Sequence, residues 1–367
     1  MLCGDRSYPD PARIAAPQER VHGVWIDRVR TTGFRGGGRV GRLANYCSYM
    51  LGAALRLLCM RRPDAVVSLT SPPMVPLLGL VGARLRSARA YNWAMDLYPD
   101  LAFALGYLRP GSLVGKTLSG LSRIALRRSD CVIAIGEAMA RRLMAAGARR
   151  VVVIHEWADG GAIRPRPVAG HPLRKAWGWE GSFVILYSGV MGLAHEFGTV
   201  LAAAERLQDR TELRWVFIAA GARRDEVERE ARQRGLRNVE FRPLVPREVI
   251  GDSLTAPDLH LVTLRDEVAG MLVPAKIYGI LAAGRPCLYV GPAGCEVARI
   301  LDEGRCGVRV AAGDDAGLVA AIRQYLGDEP RRVAEGERAR RLFDERFDRP
   351  RAMTAFRQLL APPESGH

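Results

Sequence analysis

The chain has 367 residues, 48% hydrophobic and 25% charged, and a formal net charge of +15. That length suits two domains of ordinary size, and the composition excludes a disordered or collagen-like chain. The charge leaves nucleic acid, an anionic membrane surface or phosphate-bearing substrates as partners. Seven scattered cysteines without a CxxC pair argue against a zinc or disulfide framework and for a reducing cytosol.

The opening "MLCGDRSYPD" reads as the tail of a strand. It lacks the strand, Gly-containing turn and helix with which a doubly wound domain normally begins, so the chain reads as truncated or as started at a misassigned position. "VHGVWIDRV" follows as a strand. Residues 44–60, "ANYCSYMLGAALRLLCM", form a mostly apolar helix broken by Arg56, with Asn45, Ser48, Gly52 and Arg56 on one strip at helical spacing. Arg35, Arg39 and Arg42 precede it, and Arg61 and Arg62 follow. With an arginine inside it is too short to span a membrane. Two readings stand: a helix lying in a membrane interface with basic flanks on anionic lipid, or a buried helix of the domain. "DAVVSLT", "RAYNWAM" and "CVIAIG" are further strands, and "IRPRPVAGHP" at 163–172 reads as a linker.

From residue 150 the alternation is regular. "RVVVIH", "FVILYSG", "LRWVFIAAG", "NVEFRPL", "DLHLVTL", "RPCLYVG" and "CGVRV" predict strands, with helical runs between them that often end in Gly. Such alternation predicts a parallel sheet covered on both faces, with ligands at the carboxyl ends of its strands. The expected domains are 1–163 and 164–348. No secretory signal or long uncharged apolar run is visible, and no fixed-period repeat suggests a solenoid. Only Lys116, Lys175 and Lys276 are lysines among the 54 basic residues. Lys276 stands where a helix should begin, an end that disfavours positive charge unless an anion lies between.

Six stretches in order carry a family resemblance: "SLTSPPMVPLLG", "YNWAMDLYPDLAFALG", "WAD" at 157–159, "LYSGVMGLAHEF", "VPAKIYGILAAGRP" and "CEVARILDEGRCGVRV". The chain resembles the family 4 glycosyltransferases of the GT-B fold, in particular the WbuB-like group that builds bacterial surface polysaccharides. The resemblance implies an α/β protein of two Rossmann-like doubly wound domains facing a cleft, the N-terminal one here expected to lack its first strand–turn–helix. It implies that the C-terminal half binds a nucleotide-diphosphate sugar, expected to be UDP-linked, and the N-terminal half an acceptor. The last helix, 349–361, is expected to return to the first domain. The implied activity is a retaining transfer of a hexosyl or N-acetylhexosaminyl group, without metal or other cofactor, to a lipid-linked saccharide. The implied location is the cytoplasmic face of the plasma membrane.

On that resemblance Lys276 and first-turn N–H groups are expected to neutralise the leaving diphosphate. Gly189 and Gly192 allow close backbone approach to phosphate, and His195 is a candidate for the sugar or diphosphate. Asp96 is expected to orient the acceptor hydroxyl or take its proton, with helix capping as the alternative, and Ser71 lines the same acceptor side. Glu137 starts a helix, where the dipole alone favours it. Two departures stand out. The paired glutamates of the family are replaced by Gly279 and, near the first position, Met271, which leaves Glu296 as the carboxylate for the ribose or as a plain helix-terminal acid. Leu193 occupies the place of a phosphate-gripping arginine. These departures keep open a non-catalytic binding or assembly subunit, and a nucleotide-sugar epimerase is a second alternative. Nucleic acid is not an expected partner, since the basic residues are dispersed and form no aromatic-basic platform.

Overall fold

The computed structural model describes residues 1–6, 14–34 and 38–361. Arg35 and the side chains of Arg39 and Arg42, expected as a basic flank, lie outside the described set. The chain forms two compact units. One contains Met1–Pro99, Arg109–Ala134 and Leu143–Val152; the other contains Asp100–Leu108, Ile135–Arg142 and the chain from Val153 onward. The change of unit at Val153 falls ahead of the 163–172 stretch. Residues 349–361 belong to the second unit, where Phe356 meets Trp157 edge-on at 6.1 Å.

In chain order the first part runs β1 (Leu2–Gly4), β2 (Gln18–Val21), β3 (Val24–Val29), α1 (Gly38–Cys59), β4 (Ala65–Leu69), α2 (Val75–Leu85), β5 (Arg89–Ala94), α3 (Asp100–Ala104), α4 (Leu113–Arg128), β6 (Cys131–Ala134), α5 (Glu137–Ala145) and β7 (Val151–Val153). One sheet has the order β4-β5-β6-β7, with β4, β5 and β6 parallel. A separate three-stranded sheet has the order β1-β3-β2. The single strand expected at "VHGVWIDRV" is in fact a hairpin, β2 pairing antiparallel with β3 around His22 and Gly23. Both turn residues have positive φ, 48° and 84°, as a two-residue hairpin turn matching the strand twist requires.

Helix α1 is half-exposed, which departs from the reading of a buried helix. Its polar strip faces the protein: Asn45 Oδ1 accepts from Thr32 Oγ1 at 2.8 Å and from the Phe34 N–H at 2.9 Å. Ser48 Oγ accepts from the Thr32 N–H, and Arg56 forms a two-pronged pair with Asp27 of β3. Gly52 lets the helix approach Val29, since a β-carbon there would lie 3.2 Å from the Val29 side chain.

The second unit continues with α6 (Pro172–Trp177), β8 (Phe183–Val190), α7 (Gly198–Arg206), β9 (Leu213–Ala220), α8 (Arg224–Gln233), β10 (Val239–Arg242), α9 (Ile250–Thr255), β11 (Leu259–Thr263), α10 (Lys276–Ala282), β12 (Cys287–Val290), α11 (Glu296–Gly304), β13 (Gly307–Val310), α12 (Asp315–Gly327), α13 (Glu329–Arg346) and α14 (Arg349–Leu360). Its sheet is parallel throughout, in the order β10-β9-β8-β11-β12-β13. Near-continuous apolar strands such as "FVIL" and "RWVFIAA" suit burial on both faces. Trp215, Phe217, Tyr187 and Phe197 are fully buried in one cluster on this sheet. Each such side chain contributes about 1.5–3 kcal/mol relative to exposure. Asp314, Asp328 and Asp348 cap the N-termini of the last three helices through their carboxylates.

Candidate functional site

The carboxyl ends of β8 and β9 hold the chain's strongest candidate. Their following loops are joined backbone to backbone: the Met191 N–H donates to Ala220 O at 2.7 Å, and the Arg223 N–H to Met191 O at 3.1 Å. Gly221 makes this approach possible. Its φ is +121°, and a β-carbon there would lie 2.8 Å from Met191 O. Further along the first loop, the Arg265 N–H donates to Ala194 O at 2.8 Å. Glu196 then accepts from the Thr199 N–H at 3.0 Å and starts α7.

Onto this loop frame α10 directs Lys276. The residue is partly exposed, but its Nζ is buried and has no hydrogen-bond partner among the described residues. The ammonium lies 3.5 Å from the centre of the Tyr187 ring, within cation–π range. A β-carbon at Gly189 would lie 3.7 Å from Lys276 Cε, so the lysine passes over a bare stretch of β8 backbone. Burial holds the Lys276 amine well below its usual pKa. Two of the expected first-turn donors are already engaged. The Ile277 N–H donates to Pro274 O and the Tyr278 N–H to Ala275 O, and α10 is two turns long. Attraction for an anion here therefore rests largely on the Lys276 side chain.

His195 belongs to the same frame. Its Nδ1 lies 2.7 Å from Thr263 O at the end of β11, which fixes the proton on Nδ1 and leaves Nε2 as an acceptor. Burial, then the Lys276 charge, lowers the imidazole pKa to about 3. A neutral imidazole of that tautomer accepts from a hydroxyl; it does not donate to a phosphate. Tyr187 meets His195 edge-on at 5.9 Å, and a β-carbon at Gly192 would lie 3.9 Å from His195 Cδ2. Gly189, Gly192, His195 and Lys276 are thus one constellation.

Asp96 and Ser71 lie in the first unit, at the carboxyl ends of β5 and β4. Thr70 Oγ1 accepts from both the Met95 and Asp96 N–H groups at 3.0 Å and so ties the two strand ends together. Asp96 is half-buried, and burial raises its carboxyl pKa. The next helix begins at Asp100, so Asp96 is not its cap. Ser71 is exposed beside Thr70.

Glu296 requires a correction. It is 2% exposed, its Oε2 accepts from the Glu137 N–H at 2.9 Å, and its Oε1 faces Arg299 and His155 Nδ1. It therefore places negative charge at the N-terminus of α5 and has no surface left for a ribose hydroxyl. Gly136 admits it, since a β-carbon there would lie 2.7 Å from Glu296 Oε2. Gly279, expected to replace a glutamate, lies against Leu254, 3.2 Å from a β-carbon built on it.

Three residues at the site were not among the sequence candidates. Tyr187 supplies the ring under Lys276 and donates its hydroxyl to Val190 O at 2.8 Å. Thr263 sets the His195 tautomer. Arg223 donates to His195 O at 2.7 Å, pairs with Glu226, and brings a guanidinium to the loop where Leu193 brings none. Its place after "FIAAG", at a strand end, was the available signal. Among the described residues no group of three or more His, Cys, Asp or Glu side chains could hold a metal ion.

A model described as "Glycosyl transferases group 1" matches residues 182–328, and one described as "Glycosyl transferase 4-like domain" matches residues 1–157. The chain is 27% identical over 299 residues to the probable glycosyltransferase WbjE of Pseudomonas aeruginosa, spanning 78% of this chain and 74% of the relative. It is 28% identical over 319 residues to the putative colanic acid biosynthesis glycosyl transferase WcaI of Escherichia coli K12, spanning 83% and 76%. Among solved structures, Anabaena HepE in complex with UDP and glucose superposes with a TM-score of 0.70 at 18% identity, over 92% of this chain and 86% of that one. At that identity the match speaks for the two-domain Rossmann-like fold.

Proposed function

We propose, from the premise that this chain belongs to the family 4 glycosyltransferases of the GT-B fold, that it moves a sugar from a UDP-linked donor to a lipid-linked saccharide in bacterial polysaccharide synthesis. The observation that carries the donor side is the buried Lys276 amine, without a hydrogen-bond partner, over bare β8 backbone. A buried charge without a partner is costly, and a diphosphate would supply the partner. UDP is the choice because HepE, of like fold, holds it. The polysaccharide setting is that of WcaI by name, and the lipid-linked acceptor is the family's usual one.

In the proposed reaction the bond from the anomeric carbon to the diphosphate oxygen breaks and the acceptor hydroxyl oxygen bonds to that carbon. The anomeric configuration is retained, and no metal takes part. Lys276 holds charge as it accumulates on the departing diphosphate. The neutral His195 Nε2 accepts from a sugar hydroxyl. Asp96 is assigned the acceptor hydroxyl and its proton; its raised pKa suits proton acceptance better than an ordinary aspartate's. The protein is assigned to the cytoplasmic face of the membrane, at an anionic lipid surface. No helix among the described residues is long and apolar enough to cross a membrane.

A thermal-shift titration with UDP, GDP, ADP and dTDP tests the donor site. A nucleotide at one hundred times its dissociation constant stabilises a fold by about 2.7 kcal/mol. UDP should shift the wild type, and Lys276→Ala should lose that shift. Absence of a shift with all four nucleotides would refute the donor assignment.

A further inference from the structure

We propose that a recess at the amino ends of the second unit's strands is a binding site for a phosphorylated sugar, separate from the donor site. The reading goes beyond the transfer proposed above and does not rest on it. The recess encloses about 530 Å³, within the range of small-molecule sites. Gly181, Asp258 and Pro286, which lead into β8, β11 and β12, form one wall, and α6 with the start of α13 forms the other. Ligands of parallel sheets ordinarily sit at the opposite edge, where Lys276 lies. Strand β8 runs from this recess to the Lys276 site, roughly 26 Å over its eight residues, so the two sites are distinct.

Charge selects the ligand. The buried pair of Arg174 and Asp258, 2.9 Å apart, is already satisfied: Asp258 Oδ2 also accepts from the Val184 N–H, and Arg174 donates to the carbonyls of Ala256 and Trp179. His171 is held between the Leu173 N–H and Thr255 Oγ1. Five other charged groups line the recess without an ion-pair partner among the described residues: Lys175, Arg285 and Arg332, against Glu180 and Glu329. Arg285 donates Nη2 to the carbonyls of Arg166 and Thr255, and its Nε is buried without a partner. Burial lowers its pKa to about 10, so at neutral pH it remains a charge without a counter-ion. Arg332 donates Nη1 to the Tyr325 carbonyl and lies over the Phe183 ring at 5.1 Å, and Lys175 is exposed. Three such cations call for an anion, and phosphate accepts from ammonium and guanidinium alike. Exposed Glu180 and Glu329 can only accept, and sugar hydroxyls supply the donors. Val168, Pro286 and Val333 give an apolar wall for the C–H face of a sugar ring, whereas no Phe, Tyr or Trp lines the recess for a nucleobase to stack on.

Calorimetric titration of the full chain tests this, with glucose 1-phosphate, glucose 6-phosphate, mannose 6-phosphate and fructose 1,6-bisphosphate as probes and inorganic phosphate and glucose for comparison. At least one sugar phosphate should bind wild type at least tenfold more tightly than either comparison compound. Lys175→Gln with Arg332→Gln should weaken that binding at least tenfold, whereas Lys276→Ala and saturating UDP should leave it unchanged. Should the double variant fail to fold, Lys175→Gln alone, at an exposed side chain, should still weaken it several-fold. Four results would overturn the proposal: no binding of any sugar phosphate, equal binding of inorganic phosphate, undiminished binding by the folded variants, or displacement by UDP. Sugar-phosphate binding without any UDP response would remove the donor reading and leave this site standing.

Discussion

Lys276 and His195 are both held by burial toward their neutral forms, and this ties the site to pH. A diphosphate arriving beside Lys276 favours the ammonium, so binding should take up a proton. As pH rises through the lowered pKa of the free lysine, nucleotide binding should weaken. Calorimetry of UDP binding in buffers of different ionisation enthalpy should report this uptake, and Lys276→Met should abolish it; a buffer-independent enthalpy would contradict it. For His195 the sign runs through stability. Its pKa falls from 6.5 to about 3 on folding, so the unfolded chain binds the extra proton between those values and stability is lost as pH falls through that window. His195→Gln should flatten this acid arm of the melting temperature; an unchanged arm would show that His195 is not the group responsible. Lys276 was legible because a lysine at a helix start asks for an anion. Thr263 was not, because a backbone carbonyl carries no residue-type signal.

Among the elements, the joined loops after β8 and β9 decide how firmly the site is held. Gly221→Ala would force a side chain onto the Met191 carbonyl at a φ that L-residues avoid. We expect a loss on the order of 1–3 kcal/mol, read as a lower melting temperature, together with weaker UDP binding. Arg223→Ala should leave the fold intact and raise the KM for the donor more than it lowers kcat, because Arg223 positions the His195 loop through a backbone carbonyl. An unchanged KM would confine Arg223 to its ion pair with Glu226. Most elements of the second unit were legible, since apolar runs with β-branched residues alternate there with Gly-stopped helical runs. The α1 strip was legible as a strip, but periodicity does not say which side meets the protein; the donors and acceptors of Thr32, Phe34 and Asp27 decide that. The hairpin at His22–Gly23 was missed because "HG" is a weaker turn signal than the usual Asn-Gly pair.

For the molecule as a whole, two Rossmann-like units were readable from alternation and motif order together. Where each unit draws its segments was not, because Asp100–Leu108 and Ile135–Arg142 join the second unit through tertiary packing that a linear reading does not reveal. Glu296 shows the same limit: its partner Glu137 is 159 positions away in sequence, so its structural role appears only in the fold. Sugar transfer supported by Lys276 is measured most directly as transfer itself. Radiolabelled UDP-sugars, tested one at a time, would be incubated with bacterial membranes carrying lipid-linked saccharides and with wild type, Lys276→Ala or Asp96→Asn. Wild type should place label in the lipid fraction from one donor, and both variants should lose at least a hundredfold. UDP binding by wild type without label in lipid from any donor would contradict it, and would make the chain a binding subunit.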